Sequence, residues 1–290
     1  RAAGEALREF REATRQNRVQ WCVASIPVPA WARAVFPELP EEAAMSRLWE
    51  RIFEAVHVEQ DGDAVGAWHE HIARLTHYRD WLNGLRLRAL HYRNVLGTDL
   101  MVELPEGHFW VAGEERTPAG VPFVPNMPTE EVFTAPRRDG VNGRVVASLP
   151  LVLDGNVVRG FALTLERGRI VHVEAEEGET VLRNAVAVDE GASYLGEVAL
   201  VPFDSAISRT GTLFYNTLFD ENASCHLAFG SAYPCIAGSE QMSEAERLKR
   251  GLNASMTHVD FMIGTPDLSI VGIRQDGSEV PVFVDGNFAR

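Results

Sequence analysis

An α+β fold is predicted for this 290-residue chain from two observations. In the first part the apolar residues recur at helical spacing around one short strand-like run. Beyond about Gly97 the period changes to two, and turn dipeptides separate short apolar runs. The expected architecture is an N-terminal α/β fragment, residues 1–95, followed by a mostly antiparallel, β-rich domain with a few helices, residues 96–290. Charge changes at the same place. Residues 1–95 carry 13 basic and 13 acidic residues, and the remaining 14 basic and 28 acidic residues account for the whole net charge of −14.

The elements follow in chain order. Ala2–Asn17 is charged and Ala-rich, with Leu7, Phe10 and Ala13 at helical spacing. Val19–Ile26, closed by Pro27 and Pro29, reads as a buried parallel strand. Such a strand needs neighbours, so its partners are expected upstream of Arg1 or in another chain. Glu41–Val56 is an amphipathic helix with Met45, Leu48, Trp49, Ile52 and Phe53 on one side. Val65–Asn94 is a longer helical stretch that Asn83-Gly84 could break. Asp99–Leu104 and His108–Ala112 alternate as strands. Leu149–Leu153, Asp154-Gly155 and Val157–Leu165 form a hairpin, continued by Arg169–Glu174. Val181–Glu190 is a short helix, and Tyr194–Val201 and His258–Ile263 are short apolar strands. Leu268–Arg274 and Val280–Val284 flank a second hairpin turn at Asp276-Gly277.

Composition narrows the function. An acidic surface repels phosphate backbones, so nucleic acid is not an expected partner. No apolar run approaches the roughly 20 residues that span a bilayer, so no membrane role is expected. Cys22, Cys225 and Cys235 form neither a disulfide framework nor a zinc-finger spacing, which points to a reducing cytoplasm. Lys249 is the only lysine, which removes a Schiff-base or phosphate-loop lysine almost everywhere else. The first residue is Arg1 rather than Met, which is read as an N-terminal truncation.

Four apolar segments carry polar residues suited to metal binding. Thr129-Glu130-Glu131 places paired carboxylates between a Pro-rich turn and the apolar Val132-Phe133; the same residues would also serve as a helix cap or a solvated pair. Glu197 lies within Tyr194–Val201, where burial is costly unless the carboxylate is paired or metal-bound; the alternative is an edge position facing water. Asp220–His226 reads as a helix start, capped by Asp220 or Asn222. His226 then projects from its first turn, and the helix continues through Leu227–Phe229 to Gly230, with Tyr233 following. A lone histidine there is otherwise a hydrogen-bonded core residue. His258-Val259-Asp260 puts two ligand types on one face of a strand, or else a salt-bridged surface pair.

Together these supply several carboxylates and two imidazoles, a set suited to two divalent ions roughly 3.5–4 Å apart. Oxygen and imidazole donors favour zinc or cobalt, with manganese or magnesium also admissible. The chemistry implied is hydrolysis of an amide or ester, with Tyr233 able to steady an oxyanion. A different dinuclear hydrolase, an amidohydrolase or phosphoesterase, would use the same ligands. A non-catalytic β-rich binding module would instead hold these residues for structure. No Gly-x-Ser-x-Gly, His-Glu-x-x-His or Gly-x-Gly-x-x-Gly occurs. His69-Glu70-His71 has the wrong spacing for two ligands on one helix face and is expected on a solvated surface.

At these segments the chain resembles the M29 metallo-aminopeptidases, the thermophilic-type aminopeptidases. The matching stretches are NMPTEEVFTAP (126–136), LGEVALV (195–201), NTLFDENASCHLAFGSAY (216–233) and HVDFMIG (258–264). The resemblance covers the whole chain and is strongest from about Leu96 onward. It implies that Glu131 is a metal ligand, that Glu197 is shared by both metals, and that His226, Tyr233, His258 and Asp260 complete the set. Glu130 is then the neighbour that handles a proton or the substrate amine, with Tyr233 the second catalytic candidate. The resemblance further implies two divalent ions, peptide substrates with a free N-terminus, a homodimer, and relatives longer at the N-terminus. Glu130, Asp220 and Glu221 are the carboxylates available to hold the substrate's α-amino group.

Overall fold

The computed structural model describes residues 8–15, 17–153 and 155–290. Two antiparallel sheets dominate the described residues. The short strands β1 (Val23–Ala24), β5 (Glu115–Arg116), β6 (Pro122–Phe123) and β7 (Asn126–Met127) lie outside both, as do β10 (Leu151–Leu153) and β11 (Asn156–Val158). The larger sheet has eight strands. They are β2 (Leu87–Arg93), β3 (Asp99–Glu103), β9 (Val141–Val146), β12 (Ala162–Glu166), β13 (Arg169–Glu174), β17 (Ser269–Arg274), β18 (Glu279–Val284) and β19 (Asn287–Phe288). Their order across the sheet is β13-β12-β9-β3-β2-β17-β18-β19. The second sheet has five strands in the order β16-β15-β14-β8-β4. These are β4 (Val111–Ala112), β8 (Val132–Thr134), β14 (Leu195–Leu200), β15 (His226–Gly230) and β16 (His258–Met262).

The α+β class predicted from the sequence is the one observed. The main core draws Leu90, Tyr92, Leu100 and Phe161 from the larger sheet and its connections, and Val198, Leu227, Phe229 and Phe261 from the smaller one. Phe261 is fully buried, with ring centres 5.8 Å from Phe161 and 6.3 Å from Phe229. Truncating a phenylalanine in such a place costs about 3–5 kcal/mol.

The helices are α1 (Arg8–Arg15), α2 (Pro29–Val35), α3 (Glu41–Ala55), α4 (Ala64–Leu85), α5 (Glu179–Val186), α6 (Ala206–Arg209), α7 (Thr217–Asn222) and α8 (Glu244–Lys249). A smaller core joins α2 and α3 to α6 and α7 through Leu48, Ile52, Ile207, Phe214 and Phe219. Helix α3 matches the expected amphipathic helix, and α5 the expected short one. Of the expected helix Ala2–Asn17 only Arg8–Arg15 is seen, and residues 1–7 and 16 lie outside the described residues, as does Asp154 of the first hairpin turn.

Several expectations are corrected. Val19–Ile26 is not a buried strand. Only Val23–Ala24 is strand, it pairs in parallel with Asn126–Met127 of the same chain, and Val19, Val23 and Ile26 are exposed. Pro27 and Pro29 close the run and supply no backbone donors, so it forms a surface strap. The helical stretch Val65–Asn94 ends at Leu85, where Arg86 turns left-handed (φ 51°), and Leu87–Arg93 becomes β2. Asn83-Gly84 does not break the helix. Asn83 instead clamps Trp110, accepting from its backbone N at 2.9 Å and donating to its O at 3.2 Å. The change of pattern near Gly97 thus falls in the β2–β3 turn, and β2 sits inside the larger sheet. The strand expected over Val157–Leu165 splits at Gly160 (φ 54°), so its first half pairs with β10 and its second with β9.

Candidate metal centre

Strand register assembles the site. Glu197 of β14 stands opposite Ala228 of β15, which stands opposite Asp260 of β16. Ala199 of β14 stands opposite His226 of β15 and Phe133 of β8. Directly paired residues share a face, and side chains two apart share it too. Glu131, Glu197, His226, His258 and Asp260 are therefore all on one face of the smaller sheet. The intervening residues Val132, Val198, Leu200, Leu227 and Phe261 point to the core. Ala199 and Ala228, both fully buried, leave space at the centre of the ligand face.

The helical reading of Asp220–Gly230 is corrected here. Helix α7 ends at Asn222, and His226–Gly230 is strand. The run alternates: His226 and Ala228 face the site, Leu227 and Phe229 the core. At Gly230 (φ 110°) a Cβ would come within 2.2 Å of the Thr257 carbonyl oxygen, so glycine is required where the chain leaves the sheet. The helix cap is Asn216, whose side chain accepts from Leu218 N. Asp220 instead accepts from Phe214 N at 2.7 Å and Asn216 N at 3.0 Å, and Asn222 accepts from Glu130 N at 2.7 Å.

The side chains converge on two overlapping groups. In the first, His226 Nε2 lies 3.1 Å from Glu131 Oε2 and 3.6 Å from Glu197 Oε1. In the second, His258 Nε2 lies 3.4 Å from Glu197 Oε2 and 3.3 Å from Asp260 Oδ1. Within each group the donor atoms are no more than 4.8 Å apart. Glu197, 4% exposed, offers one oxygen to each. Both histidines are oriented by backbone carbonyls. His226 Nδ1 is 3.0 Å from Ser224 O and His258 Nδ1 is 2.7 Å from Ser231 O. That fixes a proton on Nδ1 and aims each Nε2 at the carboxylates, the arrangement metal-binding histidines use. Each group has the donor chemistry to hold a divalent ion, and Glu197 belongs to both groups.

Electrostatics point the same way. Burial alone would depress both imidazoles, yet Glu131 and Glu197 hold His226 well above its ordinary range, and Asp260 and Glu197 raise His258 to about 11. Burial would raise Glu197, but hydrogen bonds from His226 and His258 bring it to about 2. Protonated imidazoles thereby supply the positive charge that so many buried carboxylates require.

Tyr233 lines the same pocket, 51% exposed, with its ring edge-on to His258 at 5.7 Å. Glu221 lines it too, its acidity suppressed by burial and then by the nearby Asp260. Of the carboxylates considered for a substrate amine, Glu221 is the one in the pocket. Glu130 is elsewhere: it is buried and 3.0 Å from His57 Nε2, and its other oxygen is 4.0 Å from His71 Nε2.

His71 was expected on a solvated surface and is 1% exposed. Its Nε2 donates to Thr129 O at 2.6 Å, and its Nδ1 faces the Arg74 guanidinium at 2.8 Å. His57, His71 and Glu130 are a further group of ligand-type side chains beside Glu131, in which both nitrogens of His71 are taken up by Thr129 and Arg74 and Glu130 bonds to His57. Periodicity conceals this, because Glu130 and Thr129, which His57 and His71 meet, lie more than 50 residues away in sequence.

Comparison with known proteins agrees. Residues 1–288 match the family described as thermophilic metalloproteases (M29). Aminopeptidase AmpS of Bacillus subtilis (strain 168) is 50% identical over 290 residues, all of this chain and 70% of that protein. Aminopeptidase T of Thermus thermophilus is 46% identical over 99% of this chain and 70% of that protein. The solved structure of wild-type AmpT from Thermus thermophilus superposes with a TM-score of 0.91 at 45% identity, covering 99% of this chain and 69% of that one. The chain is a member of the M29 metallopeptidase family.

Proposed function

We propose that this protein is a two-metal aminopeptidase that removes N-terminal residues from peptides. The observation that carries the reading is Glu197, whose two oxygens face two separate histidine-containing groups. The family and the aminopeptidase names of its relatives supply the substrate class. Zinc or cobalt suits a set of two imidazoles and several carboxylates; manganese or magnesium is the alternative. Bound at this site, a pair of such ions would lower the pKa of water and polarise a peptide carbonyl.

The chain's own residues then take distinct roles. Glu131, Glu197, His226, His258 and Asp260 would hold the metals. Tyr233, which lines the pocket, would donate a hydrogen bond to the substrate carbonyl oxygen as charge develops there; service as a further ligand is the alternative. Glu130 acts through the backbone, holding Glu131 in place by its bonds to His57 and to Asn222. Glu221, which lines the pocket, is the carboxyl that would meet the substrate's ammonium group.

A two-fold dimer and a cytoplasmic setting belong to the same proposal, supported by the family resemblance and, for the compartment, by three free cysteines of which two are buried. Among the described residues no helix is long and apolar enough to cross a membrane. The deciding experiment strips the protein of metal, reloads zinc or cobalt, and compares aminoacyl amides with phosphate esters. Two equivalents of metal with turnover of the amides alone is expected. Turnover of phosphate esters alone would make it a phosphoesterase. Absence of stoichiometric metal would make it a binding module.

A further inference from the structure

The metal pocket is also lined by apolar residues that are not among the proposed metal ligands, with Glu115 and Asn126 beside them. Residues 17–25 run as a strap along 115–127. Val23 N donates to Pro125 O at 2.7 Å, Gln20 Nε2 to Pro122 O at 3.1 Å, and Asn216 Nδ2 ties Ser25 Oγ at 3.2 Å. The strap places Trp21 in the pocket lining with Val111, Pro125, Phe133 and Tyr233. The indole is pinned from both ends. Its Nε1 donates to Asn17 Oδ1 at 3.2 Å, Asn17 in turn donates to Glu115, and its ring packs on Phe123 with centres 6.0 Å apart. The one polar atom of Trp21 is satisfied within the strap, so what the ring offers the pocket is apolar surface.

Substrate chemistry requires two kinds of neighbour at such a site. The scissile carbonyl must reach the metals, and the side chain of the residue being removed must go somewhere else. We propose that Trp21 is a specificity-determining residue: with Val111 and Phe133 it forms the subsite for the substrate's N-terminal side chain and favours large apolar residues there. This rests on the aminopeptidase reading. A wall giving roughly 50 Å² of apolar contact is worth about tenfold in affinity. Because Trp21 is distant in sequence from every metal ligand and bonds to none of them, its loss should leave the metals in place.

The test is steady-state kinetics on glycine, alanine, leucine and phenylalanine amides with the wild-type protein, Trp21→Ala and Trp21→Phe, with metal content measured for each. Trp21→Ala should raise KM about tenfold for leucine and phenylalanine amides, leave kcat and the metals unchanged, and shift glycine and alanine amides less than about twofold. Trp21→Phe should recover most of the loss. An equal fall for all four substrates, or no change, overturns the proposal, because a merely structural tryptophan cannot discriminate side chains. A parallel calorimetric titration with leucine amide separates the two readings. If the wild type binds it in a Trp21-dependent way without turning it over, the subsite stands and the peptidase reading falls. If it neither binds nor cleaves it, both fall.

Discussion

Loading the site with metal should expel protons, and their number follows from the geometry. In the metal-free protein His226 and His258 each carry a second proton on Nε2, directed at Glu131, Glu197 and Asp260. With His258 raised to about 11, it remains protonated almost completely at about pH 7.5. His226 is also held well above its ordinary value. A metal needs the Nε2 lone pair, so each ion must displace one proton. Two protons per chain should therefore be released, and each should make metal affinity rise about tenfold per pH unit, ~1.4 kcal/mol. The assay is calorimetric titration of zinc into stripped protein in buffers of different ionisation heat, whose slope counts the protons. His258→Gln should reduce the count to about one. A wild-type value near zero would refute the reasoning. The stability of the metal-free protein should move the opposite way. A raised folded-state histidine pKa contributes stability that is complete below about pH 6.5 and is lost as pH climbs toward about 11. The lowered Glu197 contributes stability above about pH 4.5 that is lost toward about 2. Thermal scans of stripped protein should thus peak between these limits, while metal-loaded protein gains stability above pH 6.5.

Three further outcomes are expected. Ala228→Leu fills the space between Glu197 and Asp260; metal stoichiometry should drop below one at a folding cost of about 1–3 kcal/mol, and undiminished metal in elemental analysis would show that the two ligand groups do not meet over Ala228. Tyr233→Phe should keep both metals and lose about 10²-fold in kcat, whereas loss of metal would make the phenol a ligand. Glu130→Gln should keep both metals, lower the melting temperature and reduce turnover, because it breaks the buried pair with His57; Glu131→Gln should release metal. The reverse pattern would exchange the roles of the two glutamates.

Much of the smaller sheet is legible because short apolar runs mark its strands. Tyr194–Val201 and His258–Ile263 read as apolar strands, the cost of burying Glu197 follows from its apolar neighbours, and the shared face of His258 and Asp260 follows from the two-residue period. For residues 226–230 three apolar residues between His226 and Gly230, soon after a capped helix, fit either period, and pairing with β14 and β16 decides it. The group around Glu130 was illegible for a different reason. His57 sits at a left-handed backbone position and His71 on a helix, and only tertiary packing brings them to Thr129 and Glu130. The strap failed as a buried strand because apolar composition alone does not say which side of a short segment is covered.

The face-sharing arrangement also makes the centre a check on folding. The proposed ligands come from four segments spread between Glu131 and Asp260, so no local piece of the chain can assemble it. A slip of β15 by one residue would turn Leu227 and Phe229 into the ligand space and drive His226 into the core. Such a chain would hold no metal at this site. Metal therefore rewards only the correctly registered sheet, and the binding free energy is added selectively to that state.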